Sequence, residues 1–312
     1  MNHPAADPRP WLLEADPVNP GVRLFALRDL LHRPAGDPDV IAAQAAVMRT
    51  GPVAAILDAQ YPAGYWVKPG PGYSPKYRAT LWQVIFLPQL GADGRDERVR
   101  RAVEYVFDHA QASDEAFSFN GRPKGGVFCL WGNVVKALLD LGWAGDPRLA
   151  RSIDVLAGAV TGAGFGCAYN EGLPCAWGAI RTLWAFNRIP AALRTPAVDA
   201  AAATCAEFLL GYDVARANYP TATRISLNWF KFGYPLAYIT DLLLNVEVLV
   251  EAGYGSDPRL DAARAVVRSG QDAQGRWKLD YTYNGKMWAD VEQKGKPSKW
   301  VTLRALRALE LR

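Results

Sequence analysis

Two kinds of helical segment alternate along this chain, and they differ in the spacing of their apolar residues. The first kind carries alanine, arginine and acidic residues on one side, which is typical of a helix with one face in solvent. The second kind is apolar nearly all round and rich in aromatic residues, so it must be covered on most sides. The segments of the first kind are Val40–Arg49, Val99–Ala110, Leu149–Ala157, Val198–Leu210 and Leu260–Arg268. The segments of the second kind are Val22–His32, Ala79–Leu90, Phe128–Leu141, Cys175–Asn187, Trp229–Glu251 and Ser298–Leu311.

Each helix of the first kind follows a residue suited to cap its N-terminus. An Asp or Thr side chain accepts a hydrogen bond from a backbone N–H that has no partner in the helix, and proline fits the next position because it has no N–H to lose. These starts are spaced by about 50 to 60 residues, which indicates a repeat. They are Asp37-Pro38, Asp96-Glu97, Asp146-Pro147, Thr195-Pro196 and Asp257-Pro258.

This alternation predicts an all-α fold, an (α/α)6-type toroid in which an inner ring of apolar helices is surrounded by an outer ring. Residues 20–312 form one such domain of about six helical hairpins, and residues 1–19 are an N-terminal extension. Connections that enter the inner helices are long and meet at one mouth, where function usually collects. These connections are Val67–Arg78, Phe117–Val127, Gly162–Pro174, Tyr212–Asn228 and Lys278–Lys299.

A Gln-x3-Gly-x-Trp motif occurs at Gln60–Trp66 and again at Gln271–Trp277, with a degraded copy at Gln111–Phe117. The Gln amide can bond the backbone of the turn, Gly permits a positive φ, and Trp clamps the loop between helices. Together with the alternating helices, the motif resembles the prenyltransferase and squalene-cyclase repeat family. That family includes the toroids of class II terpene cyclases and of protein prenyltransferase β subunits. The resemblance covers nearly the whole chain after about residue 20.

The chain departs from that family in its catalytic motifs. Class II cyclases protonate an alkene with an Asp-x-Asp-Asp acid, and no such sequence is present. Prenyltransferase β subunits bind zinc through Asp, Cys and His, but the three histidines, His3, His32 and His109, do not lie on a predicted inner helix in a suitable place. We therefore expect no metal and no other cofactor.

Composition and charge bear on whether the protein binds nucleic acid, spans a membrane or is secreted. Hydrophobic residues make up 50% of the chain, charged residues 21%, and the net charge is +4. No run of Lys or Arg indicates nucleic-acid binding, and no segment is long and apolar enough for an integral membrane span. No secretion signal is recognisable, so a cytoplasmic location is expected. The oligomeric state is left open.

Asp241 is the inner-helix candidate for a general acid. Within the predicted helix Trp229–Glu251, Tyr234, Tyr238, Asp241 and Asn245 recur at helical spacing and share one face. A carboxylate among leucines must be paired, neutralised or facing a cavity, and desolvation would raise its pKa toward the range of an acid catalyst. The alternative is an Asp paired with a Lys or Arg of a neighbouring helix.

The last long connection predicts a small β-hairpin. Asn284-Gly285 between alternating residues is typical of a type I′ turn. Pairing about that turn places Tyr281 opposite Trp288 and Leu279 opposite Asp290, so an aromatic face with one acid would lie at the mouth. Asp290 is the second candidate acid, and a hairpin that only packs on the rim is the alternative.

Cysteines and aromatic residues complete the predicted site. Cys129 and Cys175 stand at equivalent starts of inner helices, where the helix dipole favours a thiolate; Cys175 is a candidate catalytic thiol, and small apolar filler is the alternative. Aromatic rings stabilise carbocations and also stack on sugars, although tryptophans at repeat positions are commonly core residues. The predicted substrate-binding residues are Tyr77, Trp82, Cys129, Trp131, Trp177, Tyr234, Tyr238, Tyr281 and Trp288.

We expect a terpene-cyclase-like enzyme, an acid-catalysed lyase or isomerase that acts on a small hydrophobic substrate of isoprenoid type. Two alternatives stay open. One is a carbohydrate-active (α/α) toroid that cleaves polysaccharide, and the other is a non-catalytic binder of a hydrophobic ligand. An open groove with paired acids would favour sugar, and a closed, mainly apolar pocket would favour an isoprenoid.

Overall fold

A computed structural model describes residues 6–310 and shows a mostly helical chain with one small sheet. Its α-helices, α1 to α13 in chain order, are Arg9–Leu12, Pro20–Phe25, Pro38–Arg49, Gly51–Asp58, Thr80–Gln89, Glu97–Ala110, Phe128–Asp140, Pro147–Ala163, Ala176–Asn187, Pro196–Leu210, Leu242–Leu249, Asp261–Ser269 and Lys299–Glu310. Short π-helical turns, Ala26–Leu30 and Val250–Tyr254, extend α2 and α11. Strands β1, Trp277–Lys278, and β2, Pro297–Ser298, pair antiparallel.

The apolar helices pack against one another in succession. Helix α5 contacts α7, α7 contacts α9, α9 contacts α11, α11 contacts α13, and α13 contacts α2. Gly21 of α2 lies so close to the Leu90 carbonyl at the end of α5 that a Cβ there would collide with it. Each apolar helix also packs on an amphipathic one: α2 on α3, α5 on α6, α7 on α8, α9 on α10, and both α11 and α13 on α12.

All five predicted N-caps form. Asp37, Asp96, Asp146 and Asp257 each accept a hydrogen bond from the backbone N–H two residues later, at 2.8 to 2.9 Å. Thr195 accepts one from the N–H of Val198. The caps satisfy donors that the first turn of a helix leaves unpaired. The sequence therefore located the starts of these elements correctly, although α8 continues to Ala163 beyond its predicted end.

The glutamines of both repeated motifs make the predicted bond to their own turn. Gln60 donates to the Gly64 carbonyl at 3.3 Å, and Gln271 donates to the Gly275 carbonyl at 3.2 Å. Both glycines have positive φ, +95° and +78°, which residues with a Cβ rarely adopt. Gln60 also donates to the Arg98 carbonyl in the first turn of α6, at 3.0 Å. This second bond joins one hairpin to the next.

The tryptophans of the two motifs are equivalent as well. The Trp66 indole donates to the Ile56 carbonyl and the Trp277 indole to the Val267 carbonyl, both at 2.7 Å. Both rings are buried. Burial with the N–H satisfied is the condition under which an indole stabilises a core, so the motif clamps each loop onto the helix before it.

The predicted fifth inner helix, Trp229–Glu251, is wrong over its first half. Only a 3₁₀ turn at Leu227–Phe230 precedes an irregular, extended stretch, and α11 begins at Leu242. Pro235 disfavours helical geometry in the residue before it. The Asp241 carboxylate accepts the Leu244 N–H at 2.7 Å and so caps α11 from outside.

Residues 232–241, here called the plug, pass between the apolar helices with most of their side chains buried. Buried backbone outside regular structure needs hydrogen-bond partners from elsewhere. Gln89 supplies two, accepting the Leu236 N–H and donating to its carbonyl at 2.8 Å each. Side chains of three other helices also donate to plug carbonyls: Asn133 to Ala237, Arg181 to Ile239, and Arg304 to Gly233. Polar residues on otherwise apolar helices thus hold the plug.

The predicted hairpin at Asn284-Gly285 is also wrong in its strands. A turn does form, with the Lys286 N–H donating to the Tyr283 carbonyl at 2.9 Å. The paired strands lie further out, where Trp277 faces Ser298, so Tyr281 does not pair with Trp288. The Trp288 indole instead donates to the Arg78 carbonyl at 2.9 Å. Tertiary contacts of this kind outweigh the local preference for a hairpin.

Within residues 6–310, no single helix is long and apolar enough to cross a membrane. The bent pair α3 and α4, at 42° to each other, reaches that length and apolarity only when taken together.

Candidate functional site

A cavity of about 520 Å³, here called the aromatic cavity, lies at the starts of α7 and α9. Its volume is within the range of about 300–1,000 Å³ that is usual for small-molecule sites. Among the residues that line it are Tyr73, Phe119, Trp177, Tyr219, Trp229 and Tyr238. An aromatic lining of this kind suits an apolar or cationic ligand.

Four of the five long connections contribute to this cavity. Tyr73 and Lys76 come from the first, Phe119 from the second, Tyr169 from the third, and Ala217 with residues 219–226 from the fourth. The third and fourth are joined directly, because the Asn170 amide donates to the Pro220 carbonyl at 3.1 Å. The fifth connection, which holds Asp290, does not line the cavity.

Three thiols line the aromatic cavity: Cys129, Cys167 and Cys175. Burial raises the pKa of Cys129 to about 12, and it also raises the pKa of Cys175 despite bonds from backbone N–H groups at the start of α9. The start of α9 does favour the Cys175 thiolate, as expected, but desolvation outweighs that effect. Cys129 and Cys175 are therefore protonated near neutral pH.

The cavity has basic side chains but no acidic ones. Lys76 and Arg224 line it, while no lining residue is an Asp or Glu. The Lys76 Nζ lies 5.4 Å from the Tyr73 ring centroid and 5.3 Å from that of Tyr238, which is cation–π distance. Within the described part of the chain, neither Lys76 nor Arg224 forms a salt bridge.

Tyr238 stands where the plug meets the aromatic cavity. Its ring meets Trp82 edge-on, with centroids 5.2 Å apart, and lies 6.3 Å from the Tyr73 ring. Burial raises the pKa of its phenol. Trp82 itself is fully buried behind this group, and its indole donates to the Tyr73 carbonyl at 2.7 Å.

Of the predicted substrate-binding residues, Cys129, Trp177 and Tyr238 line the aromatic cavity. Trp131 lies in the core, where its indole donates to the Ser152 hydroxyl at 2.8 Å. Tyr77 packs on Tyr283 with ring centroids 4.2 Å apart, and burial raises the pKa of its phenol to about 12. Five of the predicted residues line neither this cavity nor the second one described below: Tyr77, Trp82, Trp131, Tyr281 and Trp288.

A second cavity, of about 630 Å³ and here called the charged cavity, lies at the opposite ends of the same helices. Gln89, Asp140 and Asn187, at the ends of α5, α7 and α9, line it together with Tyr234 and Leu236 of the plug. Five basic and four acidic residues belong to its lining. The ion pairs among them include Lys136–Asp140, Arg188–Glu251, Arg304–Glu247 and Arg307–Asp29.

Asp241 lines neither cavity, and its carboxylate is fully engaged. Two Arg304 nitrogens lie 3.0 Å from its oxygens, and the Gly233 N–H donates to it at 3.0 Å. This is the alternative raised by the sequence, an acid paired with a base on a neighbouring helix. Asp241 thereby joins the plug to α13. Glu247 shares Arg304, and burial raises the pKa of that carboxyl to about 7.

Asp290 accepts a hydrogen bond from the Gly285 N–H at 2.7 Å and closes the turn of its own loop. It lies outside both cavities, so of the predicted catalytic residues only Cys175 belongs to the aromatic cavity. Within residues 6–310, no group of three His, Cys, Asp or Glu residues is close enough to hold a metal ion.

Sequence reasoning missed Phe119 and Tyr219. The Tyr219 hydroxyl accepts from the Asn245 amide at 3.0 Å, which orients the ring in the cavity wall. Its place in a long connection entering α11 was the available signal. No spacing rule could identify which aromatic residue of that loop turns inward.

No family model matches the chain, and no curated protein matches it. Among solved structures, the apo type II terpene cyclase MstE from Scytonema is similar over 82% of this chain and 95% of its own. The two are 12% identical and the TM-score is 0.30. Because the likeness is that low, it carries no argument about function, and the functional argument rests on the cavities.

Proposed function

We propose that six helical hairpins form a closed toroid and that its aromatic cavity binds a hydrophobic substrate of isoprenoid type, which the protein isomerises or cleaves by elimination. One observation carries this proposal: a small-molecule-sized cavity lined by aromatic rings and thiols, with no carboxylate in its lining. Aromatic faces stabilise the positive charge that develops when an allylic C–O bond breaks.

Cys175 is the proposed proton donor. Its protonated thiol lies in the cavity, and backbone N–H groups of Trp177 and Gly178 favour the thiolate that donation would leave. The proton would pass to a substrate hydroxyl, the C–O bond would break with loss of water, and the thiolate would take a proton from the neighbouring carbon. The proton is thus returned in each cycle, and the product is a diene.

The same cavity argues against polysaccharide cleavage. Glycoside hydrolysis generally uses a pair of carboxylates on either side of the scissile bond, and neither Asp nor Glu belongs to the aromatic lining. A non-catalytic binder is the second candidate, because burial raises the pKa of Cys175 and so makes its thiol a weaker acid.

The test is to incubate the purified protein with isoprenyl alcohols and, separately, isoprenyl diphosphates, and to identify products by gas chromatography. We expect a dehydrated or isomerised product, and Cys175→Ala should lower the rate by about a hundredfold or more, as is usual for loss of an acid–base group. Cys205→Ala is the matched control, since Cys205 is buried in α10 away from both cavities.

Calorimetry on the same samples separates the candidates. Binding without product in the wild type would favour the binder. Absence of both binding and product would show that the proposal is wrong. Diphosphates preferred over alcohols would implicate Lys76 and Arg224, the basic residues of the lining.

A further inference from the structure

Residues 220–225 of the fourth long connection cover one side of the aromatic cavity and are here called the strap. All six of them line the cavity. Residues 221–224 are also exposed. Because consecutive side chains point in different directions, a run of four exposed residues within the lining has solvent on its far side. The strap is therefore a thin wall between the aromatic cavity and solvent.

Both ends of the strap are fixed by buried aromatic residues. Just before it, the Tyr219 hydroxyl donates to the Leu209 carbonyl of α10 at 3.3 Å and accepts from the Asn245 amide of α11 at 3.0 Å. Shortly after it, Trp229 is buried with its ring centroid 5.3 Å from that of Tyr219. Because the two ends lie together, as in a compact surface loop, the strap can move while α10 and α11 stay in place.

Between these ends the strap has few hydrogen bonds. Within residues 6–310, none of its backbone N–H or carbonyl groups bonds to another backbone group. The bonds inside it are long: the Thr223 N–H donates to the Thr221 hydroxyl, and the Thr223 hydroxyl donates to the Arg224 carbonyl, at 3.4 Å each. Exposed segments with few backbone hydrogen bonds are those that open at the lowest free-energy cost.

Asn170 of the third connection holds the middle of the strap. Its amide donates to the Pro220 carbonyl at 3.1 Å, and its side-chain oxygen accepts the Ala222 N–H at 3.0 Å. In the described part of the chain, no other residue outside the strap forms a hydrogen bond with it. The backbone of Asn170 is itself well bonded, with its N–H donating to the Cys167 carbonyl and its carbonyl accepting the Leu173 N–H, both at 2.9 Å.

We propose that the strap opens to admit ligands to the aromatic cavity and that Asn170 is the latch that keeps it closed. The net contribution of a single hydrogen bond is small, so two such bonds favour the closed strap and still allow it to open. Loops that close over small-molecule sites commonly act in this way. The proposal concerns access alone, so it applies to any ligand and does not rest on the proposed chemistry.

The cavity thiols allow a test without a ligand. Wild type and Asn170→Ala are treated at one pH with a bulky apolar reagent, N-(1-pyrenyl)maleimide, or a small one, methyl methanethiosulfonate. Labelling of Cys129 and Cys175, which line the cavity, is followed by peptide mass spectrometry. Loss of the latch should speed labelling by the bulky reagent about tenfold at both thiols. The small reagent, which needs less opening, should gain much less.

Two controls separate the latch from a general loosening of the fold. Cys205, in α10 and outside both cavities, should label at the same rate in every variant. Asn218→Ala is the matched control, because exposed Asn218 accepts the Asp213 N–H at 2.8 Å within the fourth connection, and it should behave as the wild type.

Asn170→Asp is a second latch variant, for use if Asn170→Ala shows no cooperative unfolding transition. It keeps the acceptor for the Ala222 N–H and loses the donor to the Pro220 carbonyl, so its labelling should rise by less than in Asn170→Ala.

An unchanged rate with the bulky reagent in a folded Asn170 variant would overturn the inference, and so would an equal rise in Asn218→Ala or at Cys205. Isoprenyl alcohols are tested for turnover on the same samples. Faster labelling without any turnover would support the strap and contradict the proposed function.

Discussion

The two cavities occupy opposite ends of the same helices, yet their linings differ in kind. The aromatic cavity is walled by rings and thiols, with two basic residues and no acidic one. The charged cavity has five basic and four acidic residues, most of them in ion pairs with each other. One end leaves its chemistry available to a ligand, and the other uses its charges internally.

The direction of the helices explains part of this difference. The charged cavity receives the C-terminal ends of α5, α7 and α9, where the helix dipole places partial negative charge and favours basic side chains. Lys136 and Arg188 are of this kind. The aromatic cavity receives helix starts, where long loops add the aromatic residues. We infer that stability depends more on the charged end and ligand binding on the aromatic end.

Arg304→Met, at the charged end, should cause the largest loss of stability. It removes the guanidinium from two buried carboxylates, Asp241 and Glu247, and from the Gly233 carbonyl. Leaving buried charges without their partner costs about 3–5 kcal/mol, measured as the free energy of unfolding in urea. Arg95→Met is the control, because Arg95 pairs with Asp93 while 88% exposed, and it should change nothing measurable. Equal losses in the two variants would contradict the role assigned to the charged end.

Gln89→Ala should have a smaller effect, since Gln89 makes two hydrogen bonds to the backbone of the plug. Two backbone groups of Leu236 lose their partner, and unsatisfied buried groups cost about 1–3 kcal/mol. Gln44→Ala is the matched control, because half-buried Gln44 makes one bond, to the Gly91 carbonyl. A smaller loss at Gln89 than at Gln44 in urea unfolding would mean that the plug does not need this support.

Glu247 should make stability depend on pH, with its full effect reached only across several pH units. Burial raises the pKa of this carboxyl from 4.5 to about 7 in the folded state. The folded protein then holds the proton more tightly, so the contribution to stability is full below about pH 4.5 and is lost as pH rises through about 7. A change of that size in the pKa corresponds to a contribution of roughly 3 kcal/mol, lost between those two pH values.

Urea unfolding of wild type and Glu247→Gln across this range measures that contribution as the difference in unfolding free energy, which should fall toward alkaline pH. Asp146→Asn provides a control of opposite sign, because Arg148 lowers the pKa of Asp146 and the corresponding difference should rise from acid to neutral pH. A flat difference for Glu247 would contradict its raised pKa.

Features that depend on neighbouring residues were predictable from the sequence. The caps at Asp37 and Asp257 and the turns at Gly64 and Gly275 need only a local side chain or a positive φ. The apolar character of α5, whose residues are all buried, follows from its composition. Such signals are local, so they survive whatever the tertiary structure is.

Features that depend on residues far apart in the chain could not be predicted from the sequence. The polar residues from Tyr234 to Asn245 have helical spacing, and the prediction of one helix followed that spacing. It gave too little weight to Pro235, which disfavours helical geometry in the residue before it. The role of Asp241 depends on Arg304, 63 positions away. Likewise the turn at Asn284 was recognisable, while the contact of Trp288 with Arg78, 210 positions apart, was not.

The plug also affects the order in which the protein folds. Its bonds join residues 147 apart for Gln89 and Leu236 and 104 apart for Asn133 and Ala237, and contacts of such wide separation are slow to form because large loops must close first. In a refolding chain, we therefore expect the helices to pack first and the plug to settle between them afterwards. The linings of both cavities, to which the plug contributes, would be completed only in the final steps.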